Sequence, residues 1–288
     1  MRHAFLIIAH DHPRELGMLL AALDDADNDI YVHIDAKATD LDEAALRRRV
    51  EASGLWFTER TDVTWGGSSQ IRAEMLLFDT AYRHGGYRYY HMLSGVDQPV
   101  KGRRYIHEYF ERHDGENFIS LKDCDDDSPR FRMRYEQYHL LQDSLIGKKR
   151  NAWKYLEFAG CYAQRALGVR RFRGRPMKRH INWVSVTDDV VGLLVRRRDG
   201  ILRDYRWTYC CDEVFLLSEI WDTPLRDTIS RVGNLRHIEW EWRDRHDCSP
   251  KVLTMDDASA LDDPDVLFAR KIVLPDSQLL LDHLREGR

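Results

Sequence analysis

The chain has 288 residues, with 44 Lys and Arg against 48 Asp and Glu, a formal net charge of -4, and hydrophobic and charged fractions of 43% and 32%. This composition describes a soluble globular chain long enough to bury a substantial core; it excludes a disordered protein and supplies no global attraction to nucleic acid. The five cysteines are odd in number and form no CxxC pair, and no segment reaches the roughly 18 apolar residues of a membrane span, which argues against a disulfide scaffold and a spanning protein.

Residues 4–9, AFLIIA, form a short apolar run of the kind a doubly buried strand requires, and Asp11 with Pro13 then signals a helix that turns Leu16, Leu19, Leu20 and Leu23 inward. After the polar turn DDADN, the run DIYVHID at 29–35 reads as a second strand, completing a βαβ unit. A helix is expected over 41–53 and a short strand at 55–57. Ser68 is expected to cap a helix carrying Ile71, Met75, Phe78 and Tyr82 at helical spacing. Residues 87–93, YRYYHML, read as the next strand, followed by SGVDQPVKG, a helix near 103–113 and a short strand NFIS.

The second half is less regular. Helices are expected over 132–146, 151–168, 188–198 and 277–286, and strands at NWVSVT, 182–187, and LRHIEW, 235–240. The basic stretch RRFRGRPMKR spans 170–179, and an acidic cluster holds Asp123, Asp125, Asp126 and Asp127. The cluster lacks a calcium-loop pattern and is expected to be a solvated loop. Alternating strands and helices predict an α/β fold with a mostly parallel central sheet flanked by helices, in one domain. Ligands of such sheets sit beyond the carboxyl ends of the strands, where Ala9-His10, His33-Asp35 and Ser94-Asp97 fall. There is no GxGxxG or GxxxxGK[ST], so any phosphates need other partners.

An Asp and a Glu stand side by side in TYCCDEVFLL, at 212 and 213. Asp212 as a helix N-cap and Glu213 as a first-turn acid is one reading; paired carboxylates for proton transfer is the other. The blocks LIIAH at 6–10, VHIDAK at 32–37, VTWGGSSQIRAEMLL at 63–77, YYHMLSGVDQPVK at 89–101, DE at 212–213, and DCSP at 247–250 followed by LFARK at 267–271 occur in one order. Together they closely resemble the core-2/I-branching β-1,6-N-acetylglucosaminyltransferase and peptide O-xylosyltransferase family, glycosyltransferase family 14, from about residue 4 to residue 273. DCSP and FARK look more like the xylosyltransferase branch.

The resemblance implies a GT-A type, Rossmann-like nucleotide-sugar fold in a single domain, 1–120 its nucleotide-binding half and 121–288 its acceptor-binding and catalytic half, with a UDP-sugar donor and inversion at the anomeric carbon. It also implies the absence of an Asp-x-Asp metal motif. Here the matching strand end reads Ser94-Gly95-Val96-Asp97, with one carboxylate where a metal site wants two, so no metal and no other cofactor is expected. By the same resemblance Glu213 is the general base, with Asp212 its neighbour, although Cys210 and Cys211 replace the residues usual before that pair. Lys271 is assigned to the diphosphate, with Arg270 and Lys251 as companions, because charge growing on the leaving group must be met by cations when no metal does so. His10, Asp35 and Lys37 are the expected uridine contacts, and Gly66, within Trp65-Gly66-Gly67, can admit backbone to the nucleotide or sugar or simply form a tight turn. Asn182 and Trp183 resemble the acceptor-side segment, with Trp240 and Trp242 as weaker candidates.

The function expected is therefore metal-independent, inverting transfer of N-acetylglucosamine or xylose from a UDP-sugar to the hydroxyl of a glycan, glycolipid or other acceptor. The alternatives are a nucleotide-sugar or carbohydrate binding protein that has lost turnover, and a metal-dependent transferase using Asp97 and the 123–127 acids. Nucleic-acid binding is not expected, since no recognition motif accompanies the basic stretch. With only six apolar residues ahead of His10 as a leader, the expected location is the cytoplasm, with the 170–179 stretch a candidate for peripheral contact with the inner face of the membrane.

Overall fold

The computed structural model describes residues 1–244 and 247–286, and the side chains of 243–248 lie outside what is described, including those of Asp247 and Cys248 in the DCSP block. In chain order the elements begin with β1 (His3–Ala9), α1 (Pro13–Leu23), β2 (Asn28–Ile34), α2 (Glu43–Arg47), β3 (Gly54–Phe57), α3 (Ser69–His84), β4 (Tyr89–Ser94) and β5 (Gln98–Pro99). There follow α4 (Arg103–Arg112), α5 (Pro129–Glu136), α6 (Ala152–Ala166), β6 (Ser185–Thr187), α7 (Asp188–Arg196), α8 (Arg198–Asp204) and α9 (Phe215–Trp221). The chain closes with β7 (Arg236–Ile238), β8 (Trp240–Asp244), β9 (Asp247–Pro250), β10 (Phe268–Arg270) and α10 (Gln278–Glu286).

The central sheet has the order β3-β2-β1-β4-β6, parallel except for β6 at one edge. Strand alternation distributes the core. Ala4, Leu6, Tyr31, Tyr90 and Met92 pack with α3, α7 and α9 on one face, while Phe5, Ile7, Val32, Tyr89 and Leu93 pack with α1 and α4 on the other. Two buried faces explain why these strands read as near-continuous apolar runs. The order reverses between β1 and β4, so His10 and the Ser94–Asp97 turn stand at the topological switch point, where a crevice opens in such sheets. A second sheet, β5-β10-β7, carries Arg270 to the same end, and β8 with β9 forms a separate antiparallel ribbon.

Several expected elements are corrected. The helix over 41–53 shrinks to the five residues of α2, and α5 stops at Glu136, where Gln137 is extended; the remainder of 132–146 is a loop ending in one wide turn, Gln142–Ile146. The 188–198 helix is two, α7 and α8. NFIS makes only isolated bridges, Asn117 to Ile229 and Phe118 to Ser185, and 235–240 is pared down to β7. Ser68 does stand at the N-cap of α3, but its side chain does not close the cap. Asp143 reaches in from the wide turn, accepting from Ser68 N at 2.9 Å, Ser68 Oγ at 2.7 Å and Ser69 Oγ at 2.7 Å. A carboxylate at a helix N-terminus meets both the free N–H groups and the positive end of the dipole. No local pattern marks a cap donated from 75 residues downstream. Among the described residues no helix is long and apolar enough to cross a membrane.

Candidate active site

Asp212 and Glu213 do not begin a helix. They lie in a single tight 3-10 turn, Cys211–Glu213, and α9 starts only at Phe215, so neither the N-cap nor the first-turn reading describes them. What sets the turn is the pair of cysteines. Cys210 takes the left-handed conformation, φ 47°, while its N–H donates to Gly66 O at 2.9 Å, and Cys211 Sγ lies 3.7 Å from Gly67 O. The acidic pair is thus seated on the Trp65-Gly66-Gly67 turn. Gly66 has φ 73°, and a Cβ there would stand 2.8 Å from the Tyr209 ring. The glycine therefore admits a side chain of the protein itself, which favours the tight-turn reading over close approach of a ligand.

The two acids face different surroundings. Glu213 is partly exposed and its Oε2 is 2.7 Å from Nη1 of Arg134, on α5. Asp212 is buried; its Oδ2 accepts from Gln70 Nε2 at 2.9 Å, while Oδ1 has no partner. Beneath it lies Glu74 of α3, 2% exposed, with Oε1 also unpartnered. Burial and then the Glu213 charge push the Asp212 carboxyl up to about 7. Burial and then Asp212 raise Glu74 well above the carboxylate range, against a hydrogen bond from Asn182. At neutral pH Asp212 stands near its midpoint and Glu74 is held toward its neutral form, whereas Glu213 meets the Arg134 guanidinium at the rim.

Asn182 and Trp183 connect this cluster to the switch point. Asn182 reaches Glu74, and the Trp183 ring lies 4.5 Å from the Arg270 guanidinium. Arg270 Nη1 is 2.8 Å from Asp97 Oδ1, and Asp97 Oδ2 accepts from Ser94 N at 2.9 Å. Asp97 is 1% exposed, and a second guanidinium, that of Arg236, lies close enough to act on it; Arg236 is itself pinned by Ser185 Oγ at 2.7 Å and Val184 O at 2.8 Å. Asp97 thus anchors Arg270. Among the described residues no three His, Cys, Asp or Glu side chains cluster as metal ligands.

The remaining expected site residues divide. His10 is exposed beside Asp11, at 3.3 Å, and open to a ligand. Asp35 is buried at the end of β2, where its Oδ1 accepts from Lys37 N at 2.9 Å and pairs with Lys37 Nζ at 3.2 Å. His33 is structural: fully buried and 2.9 Å from Thr61 Oγ1. Lys251 and Lys271 are joined through their backbones, Lys271 N to Lys251 O at 3.4 Å, but the Lys251 ammonium already sits 2.7 Å from both Glu239 and Asp257. Trp240 and Trp242 are exposed on the β8 ribbon. The acid cluster and the basic stretch, read separately in the sequence, pair with each other: Lys178 with Asp125 at 2.5 Å and Arg179 with Asp126 at 3.6 Å.

Sequence reasoning missed Gln70, Glu74, Arg134 and Arg236. Gln70 and Glu74 share one face of α3 at i, i+4, and two polar residues on the side of an apolar stripe were the available signal. Arg134 carried none, since it lies in a segment crowded with arginines.

Two solved structures are similar in outline. Mouse xyloside xylosyltransferase 1, apo form, aligns at TM-score 0.41 and 11% identity, covering 93% of this chain and 97% of its own. S. aureus TarS aligns at TM-score 0.31 and 13% identity over 42% of this chain and 21% of its own. Likenesses this low carry no weight for the chemistry. No curated protein matches the chain. The family model described as Branch, core-2/I-branching enzyme, matches residues 3–262; the chain belongs to that family of glycosyltransferases.

Proposed function

We propose that the protein moves a sugar, N-acetylglucosamine or xylose, from a UDP-sugar to an acceptor hydroxyl with inversion and without a metal. The observation that carries this reading is the division of labour among three acids: Glu213 partly exposed and paired with Arg134, with Asp212 and Glu74 buried beneath it and pushed toward their neutral forms. A single-step inverting displacement needs one carboxylate to accept the acceptor hydroxyl's proton as its oxygen attacks the anomeric carbon, opposite the departing UDP. Arg134 orients Glu213 for that role, and the buried pair below withholds a competing charge. Asn182 and Trp183, between the acids and Arg270, are placed to hold the acceptor, with the Trp183 ring offering a face to a sugar.

For the donor, the switch point offers His10 to the base and Asp35 to ribose hydroxyls, with Lys37 steadying Asp35. Asp97 works through Arg270: both of its oxygens are engaged, which supports a guanidinium rather than a metal ion at the diphosphate. Lys271 is the second cation of this reading. Lys251 acts at a distance, because its ammonium is shared by two carboxylates, and its backbone helps place Lys271. Glycans, glycolipids and other hydroxyl compounds are the acceptor classes, and the buried free thiols Cys161, Cys210 and Cys211 fit a reducing cytoplasm.

The test is an assay of UDP release and product formation with UDP-N-acetylglucosamine and UDP-xylose against an acceptor panel, in EDTA and in Mn²⁺. Acceptor-dependent turnover in EDTA, with an inverted linkage by NMR, is the expected result. Turnover that stops in EDTA and returns with Mn²⁺ overturns the metal-free reading; donor binding with no turnover on any acceptor points to a binding protein.

A further inference from the structure

Helix α6, AWKYLEFAGCYAQRA, is built inside out. The side it turns to the protein is polar: Glu157, Cys161 and Gln164, spaced i, i+4, i+7, clasp the 138–141 loop. Glu157 Oε1 accepts from Leu141 N at 2.7 Å and its Oε2 lies 3.6 Å from His139 Nδ1; Cys161 Sγ is 3.9 Å from the same ring nitrogen. Gln164 both accepts from Tyr138 N, at 2.8 Å, and donates to Tyr138 O, at 3.0 Å. The outward side is apolar and aromatic, with Tyr155 74%, Leu156 56%, Phe158 42% and Tyr162 60% exposed, and Trp153, at the first turn in line with Glu157, is 47% exposed. Most of the exposed large apolar side chains among the described residues lie between Tyr138 and Leu167. A contiguous patch of that kind on an otherwise well-charged surface marks an interaction face.

Charge says what it meets. Between Asp143 and Asp188 the sequence has eleven Lys and Arg and one acid, Glu157, in a chain whose net charge is -4. Glu157 is turned inward onto the loop, whereas Lys148, Lys149, Arg165, Arg170 and Arg173 are exposed around the helix. The basic stretch singled out in the sequence contributes less than its composition suggests, because Arg171, Arg175, Lys178 and Arg179 are bound to carbonyls and acids of the protein. A second copy of this chain laid on the patch would oppose like charges, and a zwitterionic surface would leave the cations unmatched. We propose that α6 lies in the headgroup region of an anionic lipid bilayer, with its aromatic face inserted and the flanking lysines and arginines on lipid phosphates. Trp, Tyr, Phe and Leu on one face with Lys and Arg beside them is the composition of an interfacial helix, and at 15 residues α6 is anchored on the surface rather than across it. The 138–147 loop that seats α6 also supplies Gln142, which donates to Trp65 O at 2.7 Å, and the Asp143 cap of α3, so the docked face is built onto the turn that carries the acidic pair.

Vesicle co-sedimentation tests this without donor or acceptor, so its outcome is separate from that of the transferase assay. The whole protein is expected to bind vesicles of phosphatidylcholine with 30% phosphatidylglycerol (about that fraction suffices for a strongly negative surface) and to remain in the supernatant with phosphatidylcholine alone. The triple variant Trp153→Ser, Leu156→Ser, Tyr162→Ser should lose binding by at least about tenfold, and Lys148→Ala with Lys149→Ala should weaken it by about twentyfold at low salt. Leu279→Ser, at a still more exposed leucine on α10, 71% against 56% for Leu156, should change nothing. Melting temperature and circular dichroism confirm that each variant is folded. Binding unaffected by the α6 variants, or no binding to anionic vesicles, overturns the proposal, as does a concentration-dependent dimer that those same variants dissolve.

Discussion

Helices α3 and α6 are of similar length, 16 and 15 residues, and both are amphipathic, yet they face opposite ways. On α3 the apolar stripe Ile71, Met75 and Phe78 is wholly buried against the sheet, and the polar residues beside it, Gln70 and Glu74, become the floor under the acidic pair. On α6 the stripe that faces the protein is Glu157, Cys161 and Gln164, and the aromatics face outward. Periodicity announces that a helix has two faces. Which one the protein claims depends on the partner: a closed apolar sheet for α3, a loop with unmet backbone groups at Tyr138 and Leu141 for α6.

The largest expected effect puts this contrast into energies. Phe78→Ala empties a fully buried site and should cost about 3–5 kcal/mol by urea unfolding, whereas Phe158→Ala should stay within about 0.5 kcal/mol of the parent. A large loss at Phe158 would mean that α6 is covered by the protein in solution. Next comes the chemistry that α3 supports. Glu213→Gln keeps the Arg134 contact but accepts no proton, so kcat should fall by about 100-fold or more with UDP affinity retained by calorimetry; near-normal turnover would move the base elsewhere.

Asp212→Asn tests the buried pair. Asp212 is pushed up in the folded state, to about 7, against an ordinary value of 3.8. Between those values the native protein holds more protons than the unfolded chain, so this group's contribution to stability declines as pH rises through that interval and is constant above it. The rise is worth at most about 4 kcal/mol. Asn keeps a buried amide there, so a gain of about 2 kcal/mol at pH 8, vanishing by pH 3, is the expected result in pH-dependent melting. An unchanged pH profile would show that the Asp212 carboxyl titrates alike in the folded and unfolded chain. A smaller change, about tenfold weaker UDP binding with uridine unaffected, is expected for Lys271→Ala; equal losses for both ligands would remove Lys271 from the diphosphate. The smallest expected effect is that of EDTA on UDP affinity measured by calorimetry, a ratio near one.

Much of the carboxyl edge of the central sheet could be read from the chain. LIIAH, VHIDAK and SGVD are contiguous runs ending on polar residues, and a parallel sheet buried on both faces leaves few other arrangements for them. The acid pair was found as a pair, but its environment was not, because Arg134 and Glu74 approach it from α5 and α3, 79 and 138 residues away in sequence from Glu213 and Asp212 respectively. Likewise the 132–146 segment has the composition of a helix, and nothing local says that it must stop at Glu136 so that Asp143 can reach the N-terminus of α3. The basic stretch shows the same limit: a run of cations gives no sign of its counter-ions, and those of Arg175 and Lys178 lie on the 123–127 loop and on α8 and α9.

The sequence by itself determined the strand–helix alternation, the side of each strand that is apolar, and the family blocks that carry Asp97, Glu213 and Lys271, since these depend on contiguous residues and short periods. Tertiary structure alone decided which carboxyls are pushed toward their neutral form, because desolvation and neighbouring charge are properties of a packed place and not of a residue type. It also decided that Asp97 holds an arginine and that α6 shows its aromatics outward, since both turn on partners brought in from distant parts of the chain.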